Sequence, residues 1–286
     1  MFLCPQQNMK MDLALNRFVQ KSMTTKAEPR RRESLLRRFR IPQQTARPGA
    51  GLTIEGVDAR HMLRVLRLKA GDRVMLFDGD GFDYPAIITQ TAADRVALEI
   101  EARHRCACES PARIVIAQAL LKGPRLDGIV RRLTELGVSR WIPFTCARSI
   151  PQPDPKRLQA RQARWRKIVQ ESMKQCGRSR TMKIDEPVAF ADLLLLGKRY
   201  DPSVLFYEDE FTPLEAAVPP ARGENLKVLA VSGPEGGFTP REVEQARSAG
   251  FQPAGLGPRI LRADTACMTA AVLMQHFFGD LGRKRA

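Results

Sequence analysis

No run of eighteen or more apolar residues occurs in the chain, so nothing in it is long enough to cross a bilayer as a helix. The N-terminus also lacks the short apolar core and small-residue cleavage site of a secretory signal, which makes the cytoplasm the expected compartment and a membrane partner unexpected. Cysteine is sparse: of six, only Cys106 and Cys108 lie close together. That argues against a disulfide framework, and a CxC pair without a second pair or a histidine cluster does not make a zinc site, so no metal is expected. Acidic residues are the other shortage. The 31 Asp and Glu face 47 Lys and Arg, for a formal net charge of +16.

What is present is the balance of a soluble globular protein, 43% apolar and 27% charged over 286 residues, enough for two domains. The positive surplus is uneven. Residues 1–47 hold eleven Lys/Arg against three Asp/Glu, a net of +8, and the remaining residues hold the other half. Such a surplus suits a partner rich in phosphate, and it equally suits a solvated basic surface. Residues 1–38 show no helical or strand period and end in RRRESLLRRFR. They are read as a basic, disordered extension: a targeting peptide, a phosphate-seeking arm, or sequence upstream of the true start.

Residues 39–108 carry the signals of short strands and tight turns, a small β-barrel. GDRVMLFDGDGFDYPAIITQ spaces apolar residues around Asp78-Gly79 and Asp80-Gly81, which is hairpin chemistry, and DRVALEIEA adds another alternating strand. DGDG also begins like a calcium loop, but Phe82 stands where a ligand is required and the twelfth position lacks Glu. In DARHMLRVLRLKAGD a helix is expected with Met62, Leu63 and Leu66 on one face and Arg60, Arg64, Arg67 and Lys69 elsewhere. His61 reads as a surface or packing residue.

Beyond the CESPAR linker the pattern changes to alternating strands and helices, residues 109–286 forming an α/β domain with a parallel sheet. RIVIAQAL reads as a buried strand, RLDGIVRRLTELG as an amphipathic helix, SRWIPF as a strand, residues 154–175 as a long basic helix, and SVLFY and LKVLAV as further strands. After the last comes GPEGG, Gly233 to Gly237, followed by a helix start: Thr239 as N-cap, Pro240 at the first position, Glu242 completing a capping box, and Gly250 closing the far end. A glycine loop between strand and helix lies at the carboxyl edge of the sheet, where α/β folds bind ligands. It has neither the P-loop ending nor GxGxxG spacing, and Glu235 repels phosphate, so a neutral or cationic ligand fits better. A second glycine loop, GLGPRILRADTA, follows with Gly255 and Gly257, and Arg259, Arg262, Asp264 and Thr265 gather where the last helix begins. Two such loops at neighbouring strand ends can clasp a flat ring between backbones.

VSGPEGGFTPREV, GLGPRILRADTA and the terminal FGDLG resemble the RsmE-type 16S rRNA uridine methyltransferases of the SPOUT superfamily. FRIP, HMLRVLRLKAGD, LFDGDG, LLKG, ELGV and QCGR agree in order, and the similarity runs from about Phe39 to Gly282. The resemblance implies a PUA-like β-barrel and a C-terminal domain with a deep trefoil knot, which periodicity does not reveal. It implies a homodimer, S-adenosylmethionine as methyl donor, and N3-methyluridine in the decoding region of the small ribosomal subunit as product, made on rRNA within the assembled subunit. Family members start near Phe39, which favours reading the preceding residues as an extension.

By the same resemblance the donor pocket comprises Leu205, Tyr207, Glu208, Gly233, Pro234, Glu235, Gly236, Gly237, Leu256, Gly257, Ile260, Leu261 and Thr265. Arg262 is placed to stabilise charge developing on the uracil carbonyls, and Asp264 or Glu235 to accept the N3 proton, or else to fix the loop through backbone N–H groups. RNA contacts fall to Arg64, Arg67 and Lys69 on the barrel and to Lys122, Arg125, Arg132, Arg178 and Arg180 on the catalytic domain, as a salt-sensitive and largely sequence-independent term. Three positions depart from the family's habit: Asp264 replaces Glu, Lys174 replaces a Glu, and Arg132 replaces a Lys.

Overall fold

The structure, a computed structural model, describes residues 36–42, 46–149, 155–218 and 226–282, so the expectations for the extension and for the start of the long helix at Asp154 lie outside the described residues. The described chain divides into two compact units. One holds the residues up to Ile41, Ala46 to Leu76, and Tyr84–Arg103; the other holds Pro42, Phe77–Asp83 and everything from His104.

The N-terminal sheet has the strand order β1-β3-β4-β5-β2, formed by β1 (Arg38–Arg40), β2 (Gly51–Glu55), β3 (Arg73–Phe77), β4 (Phe82–Thr91) and β5 (Arg95–Ile100), with the short β6 (His104–Arg105) beside β4. The pairings of β2 with β5 and of β4 with β5 are antiparallel, which is what the alternating sequences ask for. Val74 to Phe77 are all buried, so β3 is covered on both faces. The β3–β4 turn puts Gly79 and Gly81 at φ 93° and 95°, while the Asp78 carboxylate accepts the Asp80 N–H at 2.8 Å. That carboxylate is thus part of the turn itself. The expected helix after β2 is shorter than its pattern: α1 (Gly56–Arg60) widens at once into a π-turn, His61–Val65. Only Met62 is fully buried there, Leu63 and Leu66 being half-covered. His61 packs edge-on against Phe39, as a packing residue does.

The second unit is built on a parallel sheet of seven strands: β7 (Arg113–Ala119), β8 (Arg140–Thr145), β9 (Lys183–Ile184), β10 (Val188–Ala189), β11 (Ser203–Phe206), β12 (Lys227–Ser232) and β13 (Gln252–Ala254), in the order β10-β8-β7-β12-β11-β13 with β9 also on β8. Its central strands are largely apolar because both faces are covered, with Gln118 the buried polar exception in β7. Ile114, Ile116, Val228 and Ala230 pack beneath α2 (Arg125–Glu135), α3 (Pro155–Cys176) and α7 (Ala263–Phe278). Val115, Ala117, Leu229 and Val231 pack on the other face with α4 (Phe190–Gly197) and α6 (Pro240–Ser248). A one-turn helix, α5 (Leu214–Ala217), lies between β11 and β12. The apolar stripe read in RLDGIVRRLTELG is the buried face of α2: Leu126, Ile129, Val130 and Leu133. Each such side chain contributes about 1.5–3 kcal/mol by leaving water.

At the amino edge of this sheet an ion pair is sealed in. Arg178 is 2% exposed; its Nη1 donates to the carbonyls of Thr134 and Val138, both at 2.9 Å, and its Nη2 and Nε reach Glu109 Oε2 at 3.1 and 3.3 Å. The other Glu109 oxygen accepts the N–H groups of Ser179 and Arg180 at 2.9 and 2.7 Å. Removing the acid leaves the guanidinium buried without its counter-ion. Glu109→Ala is therefore expected to destabilise the protein by about 3–5 kcal/mol, seen as a lower denaturation midpoint with an unchanged m-value; a midpoint like the parent's would refute a structural role for the pair.

Candidate functional site at the carboxyl edge of the parallel sheet

Between β7 and β12 the chain order reverses: β7 leads outward through α2 to β8, while β12 has β11 and then β13 on its far side. Open parallel sheets hold ligands outside the strand ends at such a point. Gln118 and Ser232 are register partners there, and Gly233 is the next residue of the chain. Gln118 is fully buried; its Nε2 donates to the Gly233 carbonyl at 2.8 Å and to the Ala119 carbonyl at 3.1 Å, while its Oε1 is buried with no partner.

The loop from Gly233 to Gly237 has little side-chain surface to pack, so its neighbours hold it by its polar groups. Glu235 Oε1 accepts the Lys122 N–H at 3.1 Å and an Arg125 N–H at 2.9 Å, tying the loop to the one that leaves β7. Arg148 donates to the Gly236 carbonyl at 2.9 Å. Phe238 anchors the far end, stacked parallel to Phe144 at 6.3 Å and tilted against Phe190 at 5.7 Å. The helix that follows starts as its sequence requires. Thr239 and Glu242 form a complete capping box, and the second Glu242 oxygen accepts the Ala147 N–H at 2.8 Å, so the cap also pins the segment after β8.

Two glycines are closely approached here. Gly237 has φ 67°, and a Cβ on it would lie 1.6 Å from a Glu208 carboxylate oxygen. At Gly255 a Cβ would lie 2.1 Å from the Glu210 carbonyl, which is backbone and cannot turn aside. The loops after β11 and β13 are thus in close contact, and the Gly255 N–H donates to the Thr212 carbonyl at 2.9 Å. Acids line this rim: Glu208 and Asp209 are exposed, and Glu210 meets Arg247 at 2.7 Å. The Thr212 hydroxyl and N–H hold the Glu210 carboxyl below its usual range, and the Tyr207 hydroxyl, donated to Asp209 at 2.8 Å, is held above its own.

The structure brings together most of the residues singled out for a ligand pocket. Tyr207 and Glu208 follow β11, Gly233, Pro234, Glu235, Gly236 and Gly237 follow β12, and Leu256, Gly257, Ile260 and Leu261 follow β13. Leu205 is different: its side chain is buried in the core beneath α4 and α6. Ile260 is 91% exposed. Arg262 is the exposed N-cap residue of α7, with Asp264, half-buried, and Thr265, exposed, in its first turn. Among the proposed phosphate contacts Lys122, Arg125 and Arg132 are exposed in this unit, whereas Arg178 must be withdrawn: its guanidinium is sealed against Glu109. Arg180 is exposed but stands just before β9, which pairs with the start of β8, so it lies at the opposite edge from the glycine loops. Arg64, Arg67 and Lys69 are exposed on the first unit. Gln118 and Arg148 were missed by the sequence reading. Its place as the one polar residue inside the apolar run of RIVIAQAL was the available signal for Gln118; Arg148 had none, since it acts on a carbonyl.

A family model described as an RNA methyltransferase domain matches residues 108–275, and one described as an RNA methyltransferase PUA domain matches 54–101. The ribosomal RNA small subunit methyltransferase E of Bacillus subtilis is 31% identical over 238 residues, 80% of this chain and 91% of that protein. Among solved structures, the same-named protein of Neisseria gonorrhoeae bound to S-adenosyl methionine has a TM-score of 0.74 at 30% identity, covering 86% of this chain and 99% of that one. A Legionella pneumophila methyltransferase in complex with the bound cofactor SAM has a TM-score of 0.76 at 28% identity, with the same coverage.

One thiol reports on the packing behind the loop. Burial, and then the Glu242 carboxylate, push the Cys146 thiol up to about 11. Because the folded value lies above the ordinary one, the protonated form persists through pH 9, and the accompanying stability is lost as the pH rises toward 11. Alkylation of Cys146 by iodoacetamide, followed by peptide mass spectrometry, is expected to be slow at pH 8 and to accelerate only above pH 9; rapid labelling at pH 8 would mean that the segment after β8 is not held as described.

Proposed function

Because the chain belongs to the RNA methyltransferase family that includes ribosomal RNA small subunit methyltransferase E, we propose that it methylates N3 of a uridine in the decoding region of small-subunit rRNA with S-adenosylmethionine. The observation that carries this reading is the gathering of three loops at the carboxyl edge: β11 stands between β12 and β13, and the backbones of Gly237 and Gly255 each lie close against the acidic loop that follows β11. The residues present fit the donor. Backbone lies bare at Gly257, where nothing stands within 4 Å of a Cβ position, the buried Gln118 Oε1 has an unused acceptor site, and Glu208, Asp209 and Glu235 suit a sulfonium better than a phosphate. S-adenosylmethionine supplies an electrophilic methyl carbon. The segments Gly233 to Gly237 and Leu256 to Leu261, with Tyr207, Glu208 and Thr265, are the groups that would hold it and exclude water from the reacting atoms.

The two carboxylates divide. Glu235 already accepts from Lys122 and Arg125, which makes it a loop clamp. Asp264, two residues from Arg262 in the first turn of α7, is the acceptor we assign for the N3 proton, with Arg262 stabilising charge on the neighbouring uracil oxygen. The base must leave its stack to reach them. Lys122, Arg125 and Arg132 on this unit, and Arg64, Arg67 and Lys69 on the barrel, contact phosphate in this reading. It also includes a knotted C-terminal domain, a homodimer, a cytoplasmic location and the assembled small subunit as substrate. A non-catalytic RNA-binding module accounts for the basic surface but leaves both glycine loops without a role.

Transfer of radiolabelled methyl from S-adenosylmethionine to small ribosomal subunits from cells lacking the endogenous enzyme tests the reading directly. The product is expected to be N3-methyluridine; no transfer, together with no heat in a calorimetric titration with the donor, would refute it. Arg262→Ala is expected to lower kcat by about 10²–10³-fold and Asp264→Asn by about 10²–10⁴-fold, while Glu235→Gln chiefly weakens donor binding. If Glu235→Gln abolished kcat and Asp264→Asn did not, the roles would be exchanged.

A further inference from the structure

The long helix α3 has a part that the core does not use. Asp127, in the first turn of α2, accepts Trp165 Nε1 at 3.0 Å and pairs with Arg164 at 2.6 Å. At the other end Arg178, two residues past α3, donates to the carbonyls of Thr134 and Val138 at the close of α2. The two helices therefore run side by side in one direction, from the carboxyl edge of the sheet to the amino edge. Ten residues of α3 precede Trp165, and at 1.5 Å per residue they form about 15 Å of helix on the side where the glycine loops lie.

That half of the helix is basic, and from Lys156 to Arg164 Gln162 is its one buried side chain. The whole of α3 holds seven Lys/Arg and one acid, Glu171, in its last turns. Arg157, Arg161 and Arg164 stand at i, i+4 and i+7, which places them on one flank, turned toward the side of α2. Lys156 is exposed beside them, and between Lys156 and Trp165 Leu158 is the one aliphatic side chain larger than Ala. Arg164 of this flank meets Asp127, two residues past Arg125, whose side chain Glu235 holds. No acid occurs from Lys156 to Gln170, and the acid that Arg164 meets belongs to α2.

We propose that the amino-terminal half of α3 is an RNA-binding arm: a row of cations, Lys156, Arg157 and Arg161, that engages successive phosphates of the strand whose base enters the rim. The proposal rests on the RNA-methylating reading above and adds to it a contact surface and a direction of approach. Charge and position select RNA among anionic partners, because the row begins at the edge where the reacting base is received. The strand crosses the Lys122–Arg125 loop and then α3, and each phosphate contact releases condensed counterions.

The test is fluorescence anisotropy with a labelled small-subunit rRNA fragment over a series of salt concentrations. The triple variant Lys156→Gln, Arg157→Gln, Arg161→Gln is expected to reduce the slope of log K against log salt by about 2 and to bind at least about tenfold more weakly at low salt. Its circular dichroism and its calorimetric affinity for S-adenosylmethionine should match the parent, and Arg166→Gln, on the other flank, should leave the slope unchanged. A parental slope in the triple variant overturns the proposal, including the case in which that variant instead loses binding to a polyglutamate probe, which would assign the row to an acidic protein. Failure of the parent itself to bind donor or transfer methyl would refute the function proposed above rather than the arm.

Discussion

The amide of Gln118 reaches from the end of β7 to the carbonyl of Gly233, across the point where the strand order reverses, and the carboxyl edge of the sheet takes its form from that bond. A loop of glycines has no side chains with which to pack, and free glycine backbone is costly to order. Here the surroundings supply what the loop cannot: Gln118 and Arg148 take its carbonyls, and Lys122 and Arg125 take the Glu235 carboxylate. The Phe144, Phe190 and Phe238 cluster stops the far end from sliding. A surface without side chains thereby becomes a fixed one, able to lie close against a flat ligand.

The same sheet separates two uses of positive charge. At the amino edge Arg178 is enclosed with Glu109 and two carbonyls, and its work is to join the α2–β8 turn to the segment after α3. A buried pair of this sort adds little net stability, but either member alone is expensive, so it acts as a constraint on assembly. At the carboxyl edge the cations are exposed, and Arg125, though paired with Glu235, remains half in water. Exposed pairs of that type are weak and exchangeable. An incoming phosphate can compete for Arg125 there, whereas nothing competes for Arg178.

Much of this was legible in the residues themselves. The apolar run of LKVLAV, the glycines after it, and Thr239, Pro240 and Glu242 specified strand, loop and helix, because each depends on contacts only a few residues apart. The hairpin around Gly79 and Gly81 was readable for the same reason. Short elements were not: β9, β10 and α5 have two to four residues each and owe their form to the neighbours they pair with or pack on. The site was legible as a set of segments and not as a set of roles. Arg178 and Arg125 look alike in sequence, and Leu205 looked like a pocket residue although its side chain is part of the core.

By itself the sequence determined the strand–glycine–helix units, the two faces of each buried strand, the basic character of α3 and the order of motifs that identifies the family, all of which are properties of local spacing and composition. Only the tertiary structure decided that β12 lies between β7 and β11, so that Gln118, with no special neighbour in the chain, closes the loop a hundred residues away, and that α3 continues past α2 toward the same edge. The reason is physical: propensity and capping act over one or two turns, whereas burial of a charge, satisfaction of a carbonyl and the direction of a helix are set by whatever the completed sheet brings alongside.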